Sequence, residues 1–499
     1  MPLFENDRYR FYADRMEAFD VHAGIYRSSD GQTITKDGDP AYTWKRARSE
    51  SLALRTPFPI LDAVFALAVS ETLDRVVPAG TDSLRLKGDV PGGSYYWPYY
   101  SWTPGKDLRE YTRDTAQHVE WGDSILLDRL AAKGSLIRRC DIEARRLRED
   151  PVVTADALHF IRAAWTYFLV TGDRDLLART WECMWGTIQA KEAHHRQSNG
   201  LWTGSPWSDN EGGFIDREHF VHRNNSVVSL YANTMVAGAW QALGAIAAEL
   251  GKSEQAATAA SRYQALRQTI NAELYRPELG TYAYYLYLPT GTYVDRSEDI
   301  SAGLIYLYGI ADAKRALAYH ARFTPTPYGY RNLDPAMPVG EAHYHGGNVW
   351  ENQEGFHGWA LARLDRPDDF APFIFWHARA GLPLKEWREG TIRPATGEMH
   401  TIFKHVLWGS LGYTSYWTRG VFGLQYEPDG LRFDPCVPLQ FGESFEAELR
   451  NVHYREANLT IKLSGSGVVL KRLLLDGAAV DLIPKDLRGP HRVALEMAD

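Results

Sequence analysis

Asp209 and Glu211 lie in a segment, NGLWTGSPWSDNEGG (Asn199 to Gly213), that also carries Trp202 and Trp207. Asn, Gly, Pro and Ser at this density do not continue a helix or a strand, so the segment reads as a loop. A carboxylic acid beside indole faces is the combination that protonates a sugar oxygen while the ring is held by stacking. Such an acid must keep its proton near neutral pH, although a free Asp titrates near ~3.9. Burial against Trp207 and repulsion from Glu211 both act in that direction, whereas a nearby cation opposes it. The competing role for Asp209 is an Asx-turn or helix N-cap, for which Ser-Asp-Asn is good chemistry.

Further residues have the types that recognise a polyol. Arg113 and Asp114 together donate to and accept from adjacent hydroxyls, with an ion pair at a helix start as the alternative. Tyr96, Trp97 and Trp102, in GGSYYWPYYSWTPG, are candidate stacking platforms. His345, Asn348 and Trp350 stand around Gly346 and Gly347, which let backbone approach a ligand closely. Glu351 and Glu354 follow as candidates for a base or for hydroxyl binding. His194, His195, His219 and His222 lack the spacing of a zinc site, and no phosphate-binding or dinucleotide fingerprint is present. Neither a metal nor a cofactor is expected.

The elements that must position these residues are helical. Pro57 to Val77 reads as a first amphipathic helix, and Asp107 to Gly134 as a second helical segment. Helix pairs follow at Ala155 to Thr171 with Leu176 to Glu192, Ser226 to Leu250 with Ser253 to Glu273, and Ser301 to Tyr308 with Ala311 to Ala321. Asn352 to Leu364, Asp368 to Ala380 and Thr401 to Phe422 close the series. Ala-rich stretches such as VAGAWQALGAIAAELG allow close helix contact, and the repeat of roughly 50 residues is the rhythm of stacked helical hairpins. After about Gly423 the pattern alternates, as in FEAELRNVHYREANLTIKLSG, and predicts a small C-terminal β-sandwich. The expected organisation is an N-terminal extension over 1–54 with no assigned structure, a mainly α toroid over 55–422, and the β domain over 423–499.

Bulk properties narrow the partners. A net charge of -8 in 499 residues argues against nucleic acid and anionic membrane, which call for a basic face. A neutral carbohydrate fits better, and the 16 Trp and 28 Tyr supply stacking surface for it. Three cysteines, Cys140, Cys183 and Cys436, are too few and too scattered for a disulfide framework. No apolar run suggests a signal peptide or membrane span, so a cytoplasmic location is expected.

Four segments resemble the six-hairpin glycosidases, whose catalytic domain is an (α/α)6 barrel. YTRDTAQHVEWG resembles the Arg-Asp helix start that holds the sugar in cellobiose-phosphorylase-like enzymes. SPWSDNEGG resembles their Trp-Asn-Asp segment with the general acid, YHGGNVWENQEGF their His-x-x-Gly-x-Val-Trp segment, and GLQYEPDGLRFDPCVP their link into a C-terminal β domain. Here Trp207-Ser208-Asp209 stands for Trp-Asn-Asp, and Trp350-Glu351 for Trp-Pro. REGTIRPATGE resembles the Glu before Pro-x-Thr-Gly in inverting processing-glucosidase and mannosylglycerate-hydrolase type enzymes, where that Glu is the general base. The resemblance implies Asp209 as acid in preference to Glu211, and Glu389 as base with Glu386 in reserve.

The expected function is inverting, exo-acting hydrolysis of a neutral oligosaccharide or glycoside, with the two carboxyls ~6.5–9.5 Å apart. A phosphorylase is the alternative, in which Arg388, His400 and Thr401 hold phosphate in place of water and base. A polysaccharide lyase on the same toroid and a non-catalytic sugar-binding protein are the remaining readings.

Overall fold

The structure, a computed structural model, describes residues 1–37, 39–42, 51–74, 76–78, 84–86, 126–149, 158–204, 206, 226–336, 346–404 and 407–498. Local chemistry sets the helix boundaries. Helix α1 (Pro59–Leu73) has Pro at its first position, where the missing N–H removes no helical bond. Helix α2 spans Arg129–Glu149, and α3 (His159–Thr171) stops at Gly172, whose φ of 74° is the left-handed C-cap conformation. Asp173 then accepts the Leu176 N–H at 3.1 Å and starts α4 (Arg174–His195). Ser229 caps α5 (Leu230–Glu249) in the same way, α6 is Ser253–Thr269 and α7 is Asp299–Leu307. Asp312 caps α8 (Ala313–His320), and α9 (Glu351–Arg363), α10 (Pro367–Gly381) and α11 (Leu407–Ser415) complete the described helices.

Seven of these helices pack in the spatial order α1, α11, α9, α7, α5, α3, α2. Their contacts fix their directions. His159 Nε2 lies 3.0 Å from Tyr231 Oη, so α3 and α5 begin together. Asp299 meets His357 and the Tyr306 hydroxyl donates to the Arg363 carbonyl, so α7 and α9 run the same way. Helix α1 is antiparallel to α11, because Tyr413 reaches the Leu61 carbonyl while Thr72 meets Ser410. Helix α2 is antiparallel to α3, since Arg129 at its start and Val170 near the end of α3 both bond the Arg455 backbone. Ala131, Tyr231, Met235, Ile300, Leu304, Phe356 and Leu411, drawn from five helices, share one buried cluster. Gly303 explains how tightly α7 and α9 approach: a side chain there would sit 2.3 Å from the Phe356 carbonyl.

The C-terminal strands form two sheets. The larger runs Ala478–Ala479, Leu470–Leu475, Arg488–Met497, Glu456–Ser464, Glu446–Tyr454, Ala53–Arg55 in spatial order, and a three-stranded sheet joins Leu424–Tyr426, Gly430–Phe433 and Ile483–Pro484. The alternation in the central hairpin is the cause: Ala447, Leu449, Val452 and Tyr454 face inward opposite Leu463, Ile461, Leu459 and Ala457. Ala53–Arg55 comes from the other end of the chain, next to the segment read as an unassigned extension. Residues 4–36 of that extension form a five-stranded antiparallel meander. It docks on α10 through the stacked Phe4 and Phe375 rings and through a buried ion pair of Asp20 with Arg379.

One helix is shorter than expected. The Thr401 to Phe422 reading gives way to a strand, Met399–Lys404, before α11 begins at Leu407, with a wide turn at Tyr416–Val421 after it. The strand forms because Thr401, Ile402 and Phe403 are β-branched or aromatic and find a partner in Arg388–Ile392. Among the described residues, no helix is long and apolar enough to cross a membrane, and no group of three or more His, Cys, Asp or Glu could hold a metal ion.

Candidate active site

Helices α3 and α5 begin together and α7 and α9 run the same way, and the segments that lead into α7 and α9 build a backbone ladder. Asp299 N–H donates to the Asn332 carbonyl at 3.1 Å, and Asn332 N–H to the Asn348 carbonyl at 2.7 Å. Val349 and Ile392 then exchange two bonds of 3.0 Å. Beside it Ser297–Glu298 pairs with Leu333–Asp334, and Arg388–Ile392 with Met399–Lys404. Four segments distant in sequence thus lie side by side across the helix starts. Two are the segments read from sequence as the sugar contact around Asn348 and the base-bearing REGTI.

At the base segment, the register with Met399–Lys404 shifts between Glu389 and Gly390. Such a bulge bends the strand and re-aims a side chain, which is why bulges recur beside functional sites. Glu386, the reserve, is ion-paired with Arg388, while Trp387 between them is fully buried and donates its indole N–H to the His377 carbonyl at 3.2 Å. The pairing makes Glu386 a brace for the strand. Glu351 and Glu354 lie in the first turn of α9, directly after its N-cap Trp350.

Asn348 and Trp350 are each only 1% exposed, and Asn348 is itself a rung of the ladder through its carbonyl. Trp202 is likewise buried: Asn233 of α5 accepts its N–H and donates to its carbonyl. It belongs to the core, not to a sugar face. The loop that follows is tied at both ends to this same mouth, by Gly204 N–H to the Val227 carbonyl at 2.9 Å and Ser229 N–H to the Gly204 carbonyl at 3.3 Å. Trp207, Asp209 and Glu211 within it lie outside the described residues, as do Tyr96, Trp97, Trp102, Arg113, Asp114 and His345.

Below the ladder is a polar chain that sequence reasoning missed. Asp299 Oδ1 lies 2.5 Å from His357 Nδ1, and His357 Nε2 lies 3.0 Å from His320 Nδ1. Asp299 and His357 are buried, inside a box of Phe323, Tyr330 and Phe373 rings. Burial raises the Asp299 carboxyl well above the usual carboxylate range and lowers both imidazoles to about 3. The three groups form one continuous hydrogen-bonded line from the start of α7 to the end of α8. Glu298, fully buried one residue earlier, accepts from the Ser301 hydroxyl at 2.7 Å, and its N–H donates to Tyr319. The available signal was Ser-Glu-Asp at a helix start, with a His one residue beyond the GNVWENQEGF segment.

Residues 155–297 match the family model described as the bacterial alpha-L-rhamnosidase six-hairpin glycosidase domain. No curated protein matches by sequence. Solved structures of similar fold include a protein named Sialidase, at 14% identity and TM-score 0.69, covering 87% of this chain and 41% of that one. The GH78 family rhamnosidase of Bacillus sp. GL1 is 14% identical with TM-score 0.55, over 93% of this chain and 45% of its own. The chain thus spans less than half the length of either. The GH63 mannosylglycerate hydrolase of Thermus thermophilus, in complex with glucose, is 14% identical with TM-score 0.53, over 71% of this chain and all of its own. Residues 155–297 are thus similar to a six-hairpin glycosidase domain, and the fold of the chain is shared with these rhamnosidase and mannosylglycerate hydrolase structures.

Proposed function

We propose that the chain is an inverting glycoside hydrolase, exo-acting on a neutral oligosaccharide or glycoside, with Asp209 as general acid and Glu389 as general base. The observation that supports this reading is the Val349–Ile392 pair, which sets the Asn348 segment beside the strand of Glu389. Water held by Glu389 attacks the anomeric carbon from one face while Asp209 protonates the leaving oxygen on the other. Arg113, Asp114, Tyr96, Trp97, Trp102, Trp207 and His345 hold the sugar in this account. The family-model match makes an α-L-rhamnoside the first substrate to test.

The helices close in an (α/α)6 toroid in this reading. Helices α3 and α5 run one way together, as do α7 and α9, while α1 is antiparallel to α11 and α2 to α3. The segment read from sequence as helical, Asp107 to Gly134, is the candidate for the remaining inner helix, and most of it lies outside the described residues.

The test is turnover of a panel of aryl glycosides and disaccharides, with and without phosphate. Asp209→Asn and Glu389→Gln should each lose about 10²–10⁴-fold in kcat. A sugar 1-phosphate formed only with phosphate would make the chain a phosphorylase, an ultraviolet-absorbing unsaturated product a lyase, and binding without turnover a carrier.

A further inference from the structure

We propose that Asp299, His357 and His320 form a positioning chain for the reaction, fixing the start of α7 and, through the backbone ladder, the strand that carries Glu389. This rests on the hydrolase reading above. Asp299 contributes twice: its N–H begins the ladder to Asn332, Asn348 and, through Val349, Ile392, and its carboxyl is locked by His357. His357 projects from α9 and His320 is the last residue of α8, so one hydrogen-bonded line ties the start of an inner helix to two other helices.

A neutral imidazole has one N–H to give, so the tautomer of His357 couples its bond to Asp299 at 2.5 Å to its bond to His320 at 3.0 Å, and the two contacts hold together. Aromatic rings wall these atoms in, and Asp299 Oδ2 is buried with no hydrogen-bond partner among the described residues. That oxygen leaves the carboxyl with one strong tether, which makes the tether decisive for where the α7 start sits. The outer end reaches towards Asp369 on α10, 4.0 Å from His320 Nε2 and itself held by Arg366 at 2.7 Å. The chemistry needs this: a base displaced by about 1 Å can cost on the order of 10²-fold in rate.

The experiment compares Asp299→Asn and His320→Gln with Phe323→Leu, using whichever glycoside the wild-type chain hydrolyses. The Phe323 ring packs against His357, and the bond of Phe323 to His320 is through its backbone N–H, which a side-chain change keeps, so its variant reports on packing alone. The proposal expects Asp299→Asn and His320→Gln to lower kcat by roughly ten- to hundred-fold with KM within about two-fold. Phe323→Leu should lower the melting temperature and leave kcat within about two-fold. His320→Gln changes the half-buried end, and so serves if Asp299→Asn fails to fold. Equal kcat in all folded variants, or losses that simply follow the melting temperature, would overturn the positioning role while leaving the hydrolase reading intact. Absence of turnover in the wild type against the whole panel would instead remove the reading on which the role rests.

Discussion

Asp62, in the first turn of α1, is a buried carboxyl whose hydrogen-bond donors among the described residues are the Thr56 N–H at 3.0 Å and hydroxyl at 2.7 Å. Burial outweighs both and pushes it up to about 7. Its folded value is thus above the unfolded value of ~3.9. The stability linked to its proton is fully present below about pH 4 and is lost as pH rises through about 7. We expect unfolding free energy to fall across that window by on the order of 3 kcal/mol, and Asp62→Asn to flatten the fall. Denaturant titrations from pH 4 to 8 check this. At this scale the sequence was only partly legible. Glu389 stood out through REGTIRPATGE, and the bulge beside it is consistent with a special role. The Asp299–His357–His320 chain was hidden because its members are 21 and 37 residues apart along the sequence, and only helix packing makes them neighbours.

At the scale of elements, two contacts organise the molecule around its mouth. The first is the close crossing of α7 and α9 at Gly303. Gly303→Ala would drive the helices apart against a rigid backbone, and we expect a loss of about 1–3 kcal/mol or more in thermal unfolding. Because α9 begins with Glu351 and hangs from the ladder, activity should fall as well. The second is the ion pair of Asp20 with Arg379, both buried, which also takes the Tyr328 hydroxyl at 3.1 Å. Asp20→Ala leaves the guanidinium buried without its charge partner, and should cost about 3–5 kcal/mol by denaturant unfolding. The helices were readable because caps such as Asp173 and Ser229 precede clear apolar periods. The hairpin from Arg388 to Lys404 was not, since each strand is short and Pro394 and Gly397 interrupt the pattern. The five-stranded meander near the N-terminus was missed for the same reason: its strands are two to four residues long.

At the scale of the whole molecule, the two ends of the chain meet. Ala53–Arg55 lies on the edge of the C-terminal sheet, beside Glu448–Arg450, and the meander before it clamps α10. The C-terminal sheet is thereby joined to the strand that leads into α1, while the meander bonds the hairpin beside the ladder through Arg8 and the Ala395 carbonyl. The neutral polyol substrate expected from charge and aromatic content is a proposal that the match of residues 155–297 to a glycosidase domain supports. What no pattern in the sequence revealed is that four distant segments share one set of backbone bonds.

The central claim is inversion by Asp209 and Glu389, and the most direct measurement is proton NMR of the sugar first released from a hydrolysable glycoside, recorded before mutarotation. The account predicts that the first product has the opposite anomeric configuration to the substrate, that its signal is lost in Glu389→Gln, and that phosphate has no effect on it. Retention of configuration, or an unchanged rate of product formation in Glu389→Gln, would contradict it.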